Sequence, residues 1–138
     1  MDTVDARHRS EIMAAIKRKD TSVERALRSA LWASGLRGYR VDYALAPGRP
    51  DIAFTRQRIA VFVDGCFWHM CPQCYREPKT NTTYWRQKLD RNVKRDKDAD
   101  EQLRSAGWIV VRLWEHEVEG DLAACVTRIQ EELRRRKP

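Results

Sequence analysis

Three of the four cysteines in this 138-residue chain fall within nine positions, in Gly65-Cys66-Phe67-Trp68-His69-Met70-Cys71-Pro72-Gln73-Cys74. The segment follows directly on an apolar run of strand length, Ile59 to Val63. A buried strand must therefore run straight into a cluster of thiols, an imidazole and two adjacent aromatic rings. The spacing C-x4-C-x2-C suits a structural zinc site, which takes four tetrahedral ligands and commonly ends in a C-x2-C pair. The plain alternative is three reduced structural cysteines.

A fourth ligand has two candidates. Cys125 falls with Leu122, Val126, Ile129 and Leu133 on one face of a C-terminal helical pattern, where a cysteine behaves as a small buried hydrophobe. His116 lies just past a strand-like run, Trp108 to Leu113. Its strand end can meet the strand end near Cys66 in one sheet. The expected zinc set is Cys66, Cys71, Cys74 and His116.

Length and apolar content bound the rest. The chain is long enough for one domain over 1–138 with a real core, residues 1–9 forming a loose polar arm. Ser10 opens a short helix at 10–18. Thr21-Ser22-Val23-Glu24 has capping-box spacing and leads a helix with Val23, Ala26, Leu27, Ala30 and Leu31 on one face, ended by Gly35. Strands are expected at 39–43, 51–54 and 59–63, then a helix at 83–106, a strand at 108–113 and a last helix from Gly120-Asp121. That order describes a mixed α/β domain with helices covering the sheet.

No apolar run is long enough to span a bilayer, and Met1-Asp2-Thr3-Val4-Asp5 lacks the apolar stretch of a signal peptide. A cytoplasmic location is the expectation, with thiols reduced and clustered cysteines bound to metal. The net charge of +7 favours a polyanionic partner, nucleic acid above all. Five tryptophans offer flat surfaces for stacking on bases, although some must serve the core.

Asp51 opens one expected strand and Asp64 closes the next. A hairpin would bring both to one end, where two carboxylates can hold Mg²⁺. Asp residues at strand edges are also ordinary turn residues. His69 is a loop histidine, a fifth metal-ligand candidate or an acid/base group. Glu24 completes the capping box and suits the helix dipole. The charges on 83–106, with Asp90, Asp96, Asp98 and Asp100 among Arg and Lys, read as a solvated, mutually paired face.

Several motifs occur together: Pro47-Gly48-Arg49-Pro50-Asp51, Val61-Phe62-Val63-Asp64-Gly65-Cys66-Phe67-Trp68-His69, Trp85 and Asn92 with Arg95-Asp96, then Gly107-Trp108 and Trp114-Glu115. Together they resemble the very short patch repair (Vsr) endonuclease family over roughly residues 5–130. The resemblance implies a restriction-endonuclease-like α/β fold of the PD-(D/E)xK type with a structural zinc site. It implies a Mg²⁺-dependent, monomeric nickase for double-stranded DNA carrying a T·G mismatch, which arises from deaminated 5-methylcytosine. Cleavage would fall 5′ of the mismatched T. A cytosine-5 DNA methyltransferase and a repair polymerase would be functional partners.

Carried over residue by residue, the resemblance makes Asp51 the principal Mg²⁺ ligand with the Val63 carbonyl. His69 would orient or deprotonate the attacking water, and Glu24 would position water. Phe67, Trp68 and Trp85 would wedge into the base stack, with Met13 as an apolar contact from the opposite groove. Two departures stand out. A well-studied member of the family has His where this chain has Asp64, so a carboxylate here could bind metal directly. The family also has His at the place of Cys71 and Cys at that of His116, a swap that keeps a Cys3His set. Cleavage of matched DNA by a nuclease of the same fold, or a zinc DNA-binding module without catalysis, are the rival readings.

Overall fold

A computed structural model describes residues 22–66, 69–73 and 75–136. Helix α1 spans Ser22–Ala33 and turns Val23, Leu27 and Leu31 inward at helical spacing. Gly35 ends it at φ +86°. Leu36 N–H reaches the Leu31 carbonyl and Gly35 N–H that of Trp32, which satisfies two terminal carbonyls in a Schellman turn. The expected stop at Gly35 is therefore met. The capping-box threonine, the helix expected at 10–18 and the 1–9 arm lie outside the described residues.

Four strands follow: β1 (Arg40–Val41), β2 (Ile52–Phe54), β3 (Ile59–Asp64) and, after helix α2 (Thr82–Ser105), β4 (Ile109–Trp114). They lie in that order in one mixed sheet. β1, β2 and β3 pair antiparallel, and β3 pairs parallel with β4. The first strand is shorter than expected. Asp42 adopts φ +48°, which breaks regular pairing, although Asp42 and Tyr43 still donate to the carbonyls of Asp51 and Pro50. Helices α3 (Glu115–Gly120) and α4 (Leu122–Arg135) complete the chain.

Alternation along β3 divides the core. Ile59 and Val61 join Val23, Leu27 and Leu31 of α1, Val118 of α3, and Cys125, Val126 and Ile129 of α4. Ala60 and Phe62 face the other way, against Leu103 of α2 and Trp108. The result is three layers, with α1 and α4 on one side of the sheet and α2 on the other. Cys125 belongs to the first core, as its helical spacing implies. Gly107, at φ +88°, repeats the Schellman turn after α2, with Trp108 N–H on the Leu103 carbonyl. No described helix is long and apolar enough to cross a membrane.

Candidate active site and metal centre

The antiparallel register of β2 and β3 pairs Ile52 with Val61. Asp51 therefore arrives beside the end of β3, and its Oδ2 accepts a 2.7 Å hydrogen bond from the Val63 amide. In an extended strand a residue's N–H and C=O share one side, so the Val63 carbonyl also faces Asp51. Asp51 and Asp64 do lie at one end of the hairpin, and both are buried, at 6% and 5% exposure. They line a cleft of about 290 Å³ together with His69, Asn92, Asp96 and Arg112.

Gly48 forms one lip of this cleft. It sits at φ +75°, where L side chains are strained, and a Cβ there would lie 2.8 Å from the Ala99 Cβ of α2 and 3.2 Å from the Phe62 ring. Glycine lets the Pro47–Pro50 turn press onto α2 and hold Asp51 close to it.

His69 is held by Asp96, whose Oδ2 meets the imidazole Nδ1 in a short hydrogen bond. The other ring nitrogen, Nε2, lies 3.9 Å from Asp64 Oδ1. A carboxylate on Nδ1 fixes the ring and leaves Nε2 as the nitrogen available for proton transfer. The Asp64 carboxylate belongs mainly to another partner. Arg112 Nη1 donates to both its oxygens, at 2.8 and 3.0 Å. The same guanidinium donates to Asp100 through Nε and Nη2 at 2.7 to 3.1 Å, and its face rests on Phe62, 4.1 Å from the ring centre.

Burial pushes the Asp64 carboxyl above its usual range, against the pull of His69 and Arg112. Burial alone would lower Arg112. Its hydrogen bonds to Asp100 and the nearby carboxylate charges more than offset that and push it up.

Asp96, Asp100 and Arg112 were not among the expected functional residues. Asp96 and Asp100 read as solvated charges, yet they repeat at four-residue spacing after Asn92 on the inward face of α2, in line with buried Trp85, Leu89 and Leu103. The legible signal is that polar residues replace apolar ones at inward helical positions. For Arg112 it is a charge inside the strand Ile109–Trp114.

The candidate metal centre follows from the parallel register. Asp64 pairs with Trp114, so Cys66 and His116 each stand two residues beyond matched strand ends. His116 opens α3, whose first turn is fixed by a 2.9 Å hydrogen bond from Trp114 N–H to Glu117 Oε1. A turn after β3, with Cys71 N–H on the Cys66 carbonyl and Met70 at φ +54°, returns Cys71 to the same point. His116 Nδ1 lies 3.4 Å from Cys66 Sγ and 3.6 Å from Cys71 Sγ. Tetrahedral zinc, with Zn–S about 2.3 Å and Zn–N about 2.0–2.1 Å, would put S and N about 3.6 Å apart. The three ligand atoms thus stand at distances that fit a metal, and all lie within 4.8 Å of one another. Cys74, Phe67, Trp68 and Met13 lie outside the described residues.

Two expected site residues are buried in helices. Glu24 is buried at 3% exposure in the first turn of α1. Trp85 is also buried, at 3%. It packs on Leu89 with Met70, Tyr75 and Tyr84 as a small core beneath the cysteine loop. The helical register that turns Leu89 and Asn92 inward turns Trp85 inward too, so it reaches a base stack only if this cluster opens.

Comparison with known proteins agrees with this geometry. Residues 1–76 match the family model described as DNA mismatch endonuclease Vsr. The chain is 50% identical over 123 residues to the type II nicking enzyme V.NaeI of Lentzea aerocolonigenes, covering 86% of this chain and 74% of that protein. It is 40% identical over 121 residues to the DNA mismatch endonuclease Vsr of Escherichia coli K12, covering 86% and 76%. Identity to the type II nicking enzyme V.NmeDIP of Neisseria meningitidis serogroup C is 37% over 136 residues, 97% of this chain and 91% of that one. With its cleft of buried carboxylates and an imidazole at the strand ends, the chain belongs to the DNA mismatch endonuclease Vsr family and is a DNA endonuclease.

Proposed function

We propose that this endonuclease is a Mg²⁺-dependent nickase that recognises a T·G mismatch in duplex DNA and cuts 5′ of the mispaired T, opening the strand for short-patch resynthesis. The observation that carries the reading is the juxtaposition of Asp51, the Val63 backbone and His69 in one cleft. A buried carboxylate beside a strand carbonyl is a donor set suited to a hard divalent cation. Asp51 and the Val63 carbonyl would hold Mg²⁺, which when bound supplies charge for the scissile phosphate and acidifies water.

The chain's own residues do the rest. His69, steadied at Nδ1 by Asp96, takes the proton of the attacking water at Nε2. Glu24 is the carboxylate that orders water, and its burial fixes where it can stand. Phe67 and Trp68 form the wedge beside the mispair, and Trp85 anchors the loop that bears them. Met13 approaches from the opposite groove. A mispaired site is cheaper to unstack than a matched one, which gives the selection its physical basis.

Cys66, Cys71 and His116, completed by Cys74, would bind Zn²⁺ and hold the wedge-bearing loop against the strand ends. The chain would act as a monomer, in functional sequence with a cytosine-5 DNA methyltransferase and a repair polymerase. The deciding experiment is end-mapped nicking of duplexes that differ only in one base pair, T·G or matched, with and without Mg²⁺. Selective nicking 5′ of the mispaired T with Mg²⁺ is expected. Equal cleavage of both duplexes would establish a matched-sequence nuclease instead.

A further inference from the structure

We infer that Arg112 is a positioning residue of the cleft, and that it holds Asp64 as a structural anion rather than a metal ligand. The inference rests on the reading of Asp51 as the Mg²⁺ carboxylate.

The donor inventory carries the argument. A guanidinium has five N–H donors in a rigid fork. In Arg112, Nη1 serves both oxygens of Asp64. Nε serves both oxygens of Asp100, and Nη2 serves one of them. Nη2 also points at the Asp96 carbonyl, 3.4 Å away. Every edge of the fork is turned to an acceptor and one face lies on Phe62, so the guanidinium is committed within the protein.

Asp64 is equally committed. Its side chain is 7% exposed and both oxygens are engaged. A divalent cation entering that carboxylate would stand beside the Arg112 charge at short range, where like charges repel strongly. Asp51 accepts from the Val63 amide. The hairpin thus offers two carboxylates of which Arg112 takes one.

The clamp also sets α2. Asp96 and Asp100 are one turn apart, and Arg112 touches the Asp96 backbone and the Asp100 side chain. It thereby fixes helix α2 against β3 and β4 in the register that brings Asp96 to His69. Acting through Asp96, Arg112 positions His69 without touching substrate.

The test uses the whole chain as wild type, Asp51→Asn, Asp64→Asn and Arg112→Lys. Mn²⁺ is titrated in and the free ion read by electron paramagnetic resonance. One duplex is nicked under single-turnover conditions across a range of Mg²⁺. Asp64→Asn keeps an acceptor for Arg112, and its metal affinity is expected to stay within about threefold of wild type, while Asp51→Asn loses about tenfold or more. Arg112→Lys keeps a charge but loses the fork. It is expected to keep metal affinity and to nick about tenfold more slowly at saturating Mg²⁺, as a small displacement of the base would cause.

Metal affinity weakened as much by Asp64→Asn as by Asp51→Asn would overturn the assignment of Asp64. Wild-type nicking by Arg112→Lys would overturn that of Arg112. If wild type nicks no T·G duplex, the proposed specificity fails, and the Mn²⁺ affinities still decide the place of Asp64.

Discussion

His116 and Cys66 are fifty positions apart in sequence, yet their Nδ1 and Sγ atoms lie 3.4 Å from each other. The parallel pairing of β3 with β4 makes this so, because both residues overshoot paired strand ends by the same distance. A metal bound there would tie together the ends of two neighbouring strands. Purified chain is expected to carry about one zinc ion. Chelation, or His116→Ala, should lower the melting temperature and loosen the cysteine loop first, as read by hydrogen exchange at 65–73. Unchanged melting after complete zinc removal would show that the cluster is not a structural site.

The thiols should divide into two classes. Burial, with Glu117 and Asp121 nearby, pushes the Cys125 thiol up. Less of it is therefore thiolate at pH 7 to 8 than of a free cysteine, and the thiolate is the reactive form. Iodoacetamide should leave Cys125 almost untouched in the folded chain. Cys66 and Cys71 should be protected while metal is bound and react after chelation. Fast modification of Cys125 in the native state would contradict its place in the core.

Asp51→Asn preserves shape and removes the charge. Loss of several kcal/mol of metal-borne stabilisation should slow nicking by on the order of 10³-fold. DNA affinity, carried by the basic surface, should change little. A variant that nicks within tenfold of wild type would shift the metal ligand elsewhere.

Asp96→Asn keeps a hydrogen-bond partner for His69 but no charge. The imidazolium formed on proton transfer loses its counter-charge, and single-turnover nicking should fall by roughly 10²-fold. Mg²⁺ half-saturation should hold steady. A change in Mg²⁺ demand with an intact maximal rate would instead place Asp96 among the metal-holding groups.

Gly48→Ala tests the cleft's lip. The new methyl must displace Ala99 and sit at an unfavourable φ, which should cost roughly 2–4 kcal/mol. Melting temperature should drop by on the order of 10 °C. A variant as stable as wild type would mean that the Pro47–Pro50 turn can back away from α2.

The architecture was legible where periodicity and end signals agreed. Gly35 closes α1, Ile59–Phe62 is buried with Val63 half-buried, and Cys125 faces the core along with its helical neighbours. His116 was legible because two strand ends in one sheet are near neighbours. The short helix Glu115–Gly120 was not, since six residues give too few turns for a period. The inward role of Asp96 and Asp100 was hidden by composition: among so many charges on α2, one that lines the cleft and one that pairs with Arg112 look like those that point at water. Trp85 shows the converse, since a tryptophan that composition offers for stacking is turned inward by its helical phase.

The cleft has a sign of its own. The chain as a whole carries +7, yet the walls of its catalytic groove present Asp51, Asp64 and Asp96 against two guanidiniums, Arg95 and Arg112. A polyanion drawn by the net positive charge therefore meets three carboxylates in this cleft. With the divalent cation proposed for this site, capture of DNA and scission of DNA would be separately controlled: without the cation, the chain would hold a duplex and leave it uncut, a safeguard built from electrostatics rather than from a moving part.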